Sequence, residues 1–170
     1  MAEGHVFDPR VILTALEEAR VNYTVIGSLA RVFQGSDEIA HGVDICPQRK
    51  GENFDRLEMA LGRLGARPAS APASEIDLEP LAANESLSFA TEAGLLRVVP
   101  LPAGTRGGWD DLRRGSQREA LGGGLRVPVA SLNDLLRMEA ELARPSHAHI
   151  LAQLRQLQEF ELTMGRGLEL

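Results

Sequence analysis

The sequence contains few of the residues that form a disulfide framework, an aromatic core or a basic nucleic-acid surface. Cys46 is the only cysteine among 170 residues, so the chain cannot form an internal disulfide. Aromatic residues make up only 4% of the chain, and its core must therefore be aliphatic. Lys50 is the only lysine and the net charge is −6, which argues against a general nucleic-acid coat, because phosphate binding relies on clustered cations.

Long apolar runs are also missing. No run approaches the roughly 18 apolar residues of a membrane helix, and the first residues lack the apolar core of a signal peptide. With a lone cysteine, this predicts a cytoplasmic protein without a membrane partner. The length predicts a single domain over 1–170, in which a sheet-containing core at 8–130 is followed by C-terminal helices at 131–163.

Hydrophobic spacing predicts an alternation of helices and strands. Asp8 and Pro9 are suited to begin the first helix, and Ser131 is suited to cap a later one. The predicted strands are 23–26, 43–46, a hairpin within 86–100, and 125–129; the predicted helices are a first one opening at Asp8-Pro9, then 29–33, 54–64, 107–114, 131–142 and 147–163. Residues 66–80 are rich in Ala, Pro and Ser, and this composition predicts a surface loop.

The stretch 23–48 carries the functional signal. A strand stops at Gly27-Ser28, a short helix and a loop with acidic residues follow, and the next strand carries Asp44. This order resembles the opening of the polymerase-β-like nucleotidyltransferases, which have Gly-Gly or Gly-Ser at the turn and Asp-x-Asp on the next strand. Here Asp44 holds the second Asp position and Gly42 holds the first.

The resemblance extends over about residues 10–160, through weak motifs whose order and spacing agree with the family. The third carboxylate position of the family corresponds to Arg97, and Glu139 and His147 stand where the family has a Lys and an Asp. The matching segments are Leu64-Gly65-Ala66-Arg67, Thr91-Glu92-Ala93-Gly94, Pro102-Ala103-Gly104 and Val129 to Leu135.

The resemblance implies an α/β (α+β) fold, with a mixed sheet flanked by helices and C-terminal helices that close a cleft. The family transfers a nucleoside monophosphate from an NTP to a protein, RNA or small-molecule hydroxyl, and includes antibiotic-modifying enzymes and toxins of toxin–antitoxin systems. Two strand residues two apart share one face, so Asp-x-Asp aims two carboxylates at a pair of metal ions. Gly42 and Arg97 remove two of the three expected carboxylates.

The leading hypothesis is therefore a degenerate, non-catalytic member without a metal cofactor. Asp44 is its catalytic remnant, and the nucleotide-binding candidates are Gly27, Ser28, Arg31 and Arg97. A bidentate Asp44–Arg97 ion pair is predicted to replace the metal site. Two alternatives for Arg97 are an exposed strand residue and a phosphate ligand. The alternative for Gly27-Ser28 is a plain turn without a ligand. The alternative is an active Mg²⁺-dependent enzyme in which Asp37 or Glu38 joins Asp44 as a metal ligand.

The expected partners are a nucleotide, a protein or a second copy of the chain, since the apolar surplus of the last two helices could serve a dimer. His41 is interpreted as a loop polar residue rather than a metal or phosphate ligand. Four arginines form either a solvated face or a basic patch for a nucleotide tail or RNA: Arg106, Arg113, Arg114 and Arg118.

Overall fold

A seven-stranded mixed sheet forms the centre of the protein, as seen in a computed structural model that describes residues 6–168. The strands lie in the order β3-β4-β5-β2-β1-β7-β6. Their bounds are β1 Tyr23–Ile26, β2 Gly42–Pro47, β3 Arg67–Pro68, β4 Leu87–Thr91, β5 Gly94–Val98, β6 Gln117–Gly122 and β7 Leu125–Val129.

Seven helices surround the sheet in the described part of the chain. They are α1 Pro9–Glu18, α2 Gly27–Phe33, α3 Gly51–Arg63, α4 Glu79–Ala82, α5 Trp109–Leu112, α6 Leu132–Leu142 and α7 Ala148–Leu168, with a 3₁₀ turn at Pro145–His147. The predicted caps are confirmed, because Asp8 accepts a hydrogen bond from the Arg10 amide at 3.0 Å and Ser131 accepts one from the Asp134 amide at 3.1 Å. The α/β fold class expected from the sequence is therefore observed.

Strand β2 lies between an antiparallel and a parallel neighbour. It pairs antiparallel with β1, which places Ile26 opposite Asp44, and parallel with β5, which places Asp44 opposite Arg97. Parallel strands require a long crossover connection, and here α3, β3, α4 and β4 lie between β2 and β5. The register brings the sequence-predicted residues to the middle of the sheet.

The two faces of β2 and β5 differ because successive side chains point to opposite sides. Val43, Ile45, Leu96 and Val98 are completely buried. Helix α1 contacts both strands and packs against α3, and its Ile12, Leu13 and Leu16 are also fully buried. The alternate positions on the two strands include Asp44 and Arg97, which face a cavity instead of the core.

Strand β6 was not expected from the sequence. It is an edge strand in the order of the sheet, and its residues alternate between intermediate and exposed positions without a buried apolar set. Arg118 and Glu119 lie on it, and charged side chains on an edge strand discourage pairing with another chain. The strand therefore lacks the apolar alternation by which a strand is recognised. Within the predicted loop 66–80, the short strand β3 also pairs with β4.

Helices α6 and α7 pack against each other beside the sheet. Leu132, Ile150 and Leu154 form a small buried cluster, with Leu136 and Leu157 packed against it, while Leu135 and Met138 of α6 belong to the main core. Helix α7 begins at Ala148, one residue after the predicted start at 147, and runs beyond the predicted end at 163. In residues 6–168, no helix combines the length and the apolarity needed to cross a membrane.

Candidate functional site

A cavity of about 620 Å³ lies between the open face of the sheet and the C-terminal helices. This volume falls within the roughly 300–1,000 Å³ of small-molecule sites. The sheet contributes Asp44 and Arg97, the β1–α2 turn contributes Gly27 and Ser28, and α6 contributes Glu139. Residues separated by more than 100 positions thus form one concave surface.

Gly27 allows the Asp44 carboxylate to approach the turn between β1 and α2. Its φ of +71° lies in the left-handed region that glycine adopts without a steric penalty. A Cβ added at Gly27 would lie 3.0 Å from both Cβ and Cγ of Asp44 and would collide with its Oδ2. The glycine of the Gly-Ser turn is thus required by backbone conformation and by the contact with Asp44.

Gly42 leaves no room for the carboxylate that the resembled family carries at this position. A Cβ at Gly42 would lie 2.9 Å from the backbone carbonyl oxygen of Leu95 and 3.3 Å from the Leu95 Cβ. The obstacle is the backbone of β5, which cannot move aside as a flexible side chain can. The missing carboxylate is therefore accompanied by a close approach of two strands.

Asp44 and Arg97 are neighbours in register and line the same cavity, but the predicted bidentate pair is not formed. Within residues 6–168, no hydrogen bond or ion pair joins their side chains. Arg97 is exposed on β5 and lines the cavity, and its positive charge acts on Asp44 without a direct hydrogen bond. Two of the alternatives from the sequence, an exposed strand residue and a phosphate ligand, remain compatible with this position.

Asp44 is a carboxylate in a partly desolvated position. Burial raises the pKa of its carboxyl group, and the positive charges of Arg97, Arg31 and Arg144 oppose that rise. None of the described side chains donates a hydrogen bond to Asp44. The carboxylate is therefore available to accept a hydrogen bond from a ligand.

Arg31 is almost entirely committed to other protein groups. It is 7% exposed, and its Nε and Nη2 donate to the two carboxylate oxygens of Glu38, both at 2.8 Å. Its Nη1 donates to Glu139 Oε2 at 3.4 Å. Burial alone would lower the pKa of Arg31, but the hydrogen bonds and charges of Glu38 and Glu139 raise it. Arg31 lines the cavity, and each of its three guanidinium nitrogens already donates to a carboxylate.

Glu139 joins the C-terminal segment to this buried charge cluster. It is 3% exposed, and its Oε2 accepts from Arg144 Nη2 at 2.8 Å as well as from Arg31. His147 Nδ1 lies 2.8 Å from Glu139 Oε1. Glu139 is therefore the common partner of three basic side chains.

The structure brings most of the sequence-predicted site residues to one place. Gly27, Ser28, Arg31, Glu38, Asp44 and Arg97 all line the cavity, together with His41, Glu139 and His147. Asp37 does not line the cavity, and its carboxylate is exposed. The predicted arginine patch lies outside the cavity. Two of its members contact other groups: Arg118 pairs with Glu17 at 2.8 Å and Arg113 packs over the Trp109 ring.

Sequence reasoning missed Arg144 and the apolar wall of the cavity. Arg144 Nη2 contacts Glu139, while its side chain remains 40% exposed and lines the cavity. Its position beside Pro145, after the end of α6, was the available signal. The apolar wall comes from the sheet, the following loop and the C-terminal helices: Ile26, Leu95, Val99, Leu101, Leu135, Met138, Leu142 and Ile150.

The residues present do not fit the two magnesium ions that the resemblance implies. Mg²⁺ is bound through oxygen ligands in near-ideal geometry. The Glu38 and Glu139 carboxylates are occupied by basic side chains, which leaves Asp44 as the available carboxylate of the cavity. No three His, Cys, Asp or Glu side chains of the described chain are grouped to hold a metal ion. The metal set of the active alternative, Asp44 with Asp37 or Glu38, is not assembled.

Comparison with solved structures defines the class of fold. The chain is similar to the lincomycin-bound lincosamide antibiotic adenylyltransferase LnuA, with a TM-score of 0.56 and 17% identity over 91% of this chain and 99% of that one. It is also similar to ANT(2″)-Ia in complex with adenylyl-2″-tobramycin, with a TM-score of 0.54 and 20% identity over 91% and 87% of the two chains. A third similar structure is the candidate nucleotidyltransferase TM1012 from Thermotoga maritima, with a TM-score of 0.54 and 20% identity over 92% of this chain and 99% of that one.

The architecture is thus similar to that of these nucleotidyltransferases, which confirms the nucleotidyltransferase-type fold expected from the sequence. At these identities the likeness shows the fold alone. No protein-family model matches the chain, and no curated protein sequence matches it significantly.

Proposed function

We propose that the chain is a non-catalytic member of the nucleotidyltransferase fold and that its cavity binds a nucleotide. The observation that carries this proposal is the β2–β5 register, in which Asp44 lies beside Arg97 and Gly42 has no space for a side chain. A two-metal mechanism needs carboxylates around both ions. Here one of the expected acids is replaced by a cation and another by a close backbone contact.

The shape and polarity of the cavity support nucleotide binding. Its volume suits a mononucleotide, and both an uncommitted carboxylate and an exposed guanidinium lie beside its apolar wall. Arg97 is suited to bind a phosphate through a bidentate hydrogen bond. Asp44 can accept a hydrogen bond from a sugar hydroxyl. The fold alone does not fix function, so this proposal depends on the site.

A transfer assay tests the loss of catalysis. ATP, GTP, CTP and UTP labelled at the α-phosphate are incubated with the protein, Mg²⁺ or Mn²⁺, and a cell extract that supplies acceptors. We expect no label on any acceptor. Transfer that disappears in Asp44→Ala but persists in Asp55→Ala, an exposed aspartate on α3, would instead establish the active alternative. Binding of the unlabelled nucleotides is measured by calorimetry.

A protein partner is the second candidate, with a second copy of the chain as its simplest form. The outer half of α7 exposes large apolar side chains, with Phe160 62%, Leu162 58% and Met164 53% exposed. Phe160 and Met164 are four residues apart and share one face of the helix. Exposed apolar surface can mark an interaction site. Sedimentation velocity over a range of concentrations tests for self-association.

A further inference from the structure

The cavity contains few cations that can still bind an anion. Arg31 uses Nε, Nη1 and Nη2 on Glu38 and Glu139. Arg144 directs one nitrogen, Nη2, to Glu139, and its side chain is 40% exposed. Arg97 makes no ion pair with any described residue. The available positive charge is therefore Arg97 on the sheet and part of Arg144 after α6.

The negative charges of the cavity limit how much anionic charge it can accept. Its three arginines, Arg31, Arg97 and Arg144, are balanced by Glu38, Asp44 and Glu139. Asp44 lies next to Arg97 in the register, so an anion on that guanidinium also approaches a carboxylate.

The charge of a nucleoside triphosphate is too negative for the balanced charges of the cavity. In nucleotide-binding enzymes Mg²⁺ bridges and neutralises the outer phosphates. The carboxylates that would hold such an ion are absent or engaged here, as the contacts of Glu38 and Glu139 show. A terminal monophosphate carries only about two negative charges, and two guanidinium groups can neutralise them.

We propose, on the basis of the nucleotide-binding function above, that the cavity selects a nucleoside monophosphate and binds it without a metal ion. Arg97 and the free nitrogens of Arg144 hold the phosphate from two sides, and Asp44 accepts a hydrogen bond from a ribose hydroxyl. The nucleoside lies against the aliphatic wall of the cavity, which includes Leu135 and Met138. Among the described residues, none of those lining the cavity is Phe, Tyr or Trp, so base stacking there is limited to the imidazole rings of His41 and His147.

Isothermal calorimetry tests this ligand class. The probes are AMP, GMP, CMP and UMP and the corresponding triphosphates, each with Mg²⁺ and with EDTA. We expect at least one monophosphate to bind about tenfold or more tightly than its triphosphate, a difference of about 1.4 kcal/mol. EDTA should leave its affinity unchanged.

The role of Arg97 is tested with a matched pair of variants. Arg97→Gln should weaken monophosphate binding by at least about tenfold, since hydrogen bonds to charged groups contribute about 1.5–3 kcal/mol. Arg126→Gln removes an exposed arginine of β7 outside the cavity and should leave the affinity unchanged. Both positions are exposed, so both variants should fold, and circular dichroism checks this.

Three outcomes distinguish the two levels of the proposal. Monophosphate binding that depends on Arg97 supports both the nucleotide-binding function and the selectivity for monophosphates. Tighter binding of a triphosphate in the presence of Mg²⁺ overturns the selectivity and retains nucleotide binding. If neither class binds the wild-type protein, the proposed function itself fails and the selectivity fails with it.

Discussion

At the scale of single residues, two glycines define the site as strongly as its charged groups do. Gly27 combines a positive φ with direct contact to the Asp44 carboxylate. Gly42 lies against the β5 backbone, where any side chain would need the strands to separate. Because the second constraint involves main chain, returning the family's carboxylate by a single substitution should disturb the sheet before it creates a ligand.

We therefore expect Gly42→Asp to lower the free energy of unfolding by about 1–3 kcal/mol, the usual cost of overpacking. The new Cβ would lie 2.9 Å from Leu95 O, and relief requires a shift of β2 or β5. Urea unfolding measures the loss. Calorimetry with Mg²⁺ should show no tight site in the variant, since Arg97 remains beside Asp44.

Gly51→Asp is the matched control for this substitution. Gly51 begins α3, and a Cβ there meets no atom within 4 Å. An aspartate in the first turn of a helix stabilises it by about 0.3–1 kcal/mol through the helix dipole. If Gly42→Asp were as stable as Gly51→Asp and bound Mg²⁺, the steric account of position 42 would be wrong.

At the scale of elements, one buried charge cluster connects α2, the loop before β2, α6 and the 3₁₀ turn. Arg31 of α2 bonds Glu38 in the loop and Glu139 of α6, and Glu139 in turn contacts Arg144 and His147. Removing one member of a buried ion pair leaves the other charge without compensation, which is costly. The cluster thus joins the C-terminal segment to α2 and to the loop before β2.

The pH dependence of stability should reveal the contribution of Glu38. Hydrogen bonds from Arg31 and Ser36 lower its pKa in the folded state, although burial alone would raise it. A depressed folded pKa stabilises the fold above the unfolded value of about 4.3 and loses that effect as pH falls through the folded value. Glu38→Gln should therefore lower stability at pH 7 by about 2–3 kcal/mol.

Urea unfolding at a series of pH values from neutral to acid measures this difference. The gap between wild type and Glu38→Gln should narrow as the pH is lowered, because protonation weakens the same contact that the substitution removes. Glu58→Gln, at an exposed position of α3, should stay within about 0.5 kcal/mol of wild type throughout. A gap that is constant or widens toward acid pH would contradict the proposed role of Glu38.

How far the elements could be predicted depends on the range of the interactions that form them. The β1–α2–β2 unit was predicted because its strand, turn and helix signals are local in the sequence. Strand β6 was missed because none of its residues is buried and its half-buried positions are Glu119 and Leu121, which form no apolar alternation. The Arg31–Glu139 contact joins positions 108 residues apart, and no periodicity indicates it.

The same distinction applies to the candidate site. The register that places Arg97 beside Asp44 follows from the strand order and was anticipated. The lack of a direct hydrogen bond between the Asp44 and Arg97 side chains was not anticipated, since a long exposed side chain has several rotamers of similar energy. Sequence therefore predicted several of the residues that meet at the cavity, but it missed Arg144 and the apolar wall and did not predict which atoms touch.

At the scale of the whole molecule, α7 consists of two parts with different roles. Its inner half carries Ile150 and Leu154, which are 6% and 0% exposed and pack against Leu132 of α6. Its outer half carries Phe160 and Met164, which are 62% and 53% exposed. The first part closes the cavity, and the second contributes no buried side chain to the described fold.

We expect this division to appear in the free energy of unfolding. Leu154→Ala should cost about 2–5 kcal/mol, the range for large-to-small substitutions in a core. The double variant Phe160→Ser with Met164→Ser should stay within about 0.5 kcal/mol of wild type at low protein concentration, as surface substitutions do. A large loss in the double variant, measured by urea unfolding, would show that the outer half is packed in solution. The control variant is Met59→Ser, which replaces an exposed methionine of α3. If the double variant is as stable as the wild type but self-associates more weakly than the wild type and Met59→Ser in sedimentation, the outer half of α7 is the surface that pairs two copies.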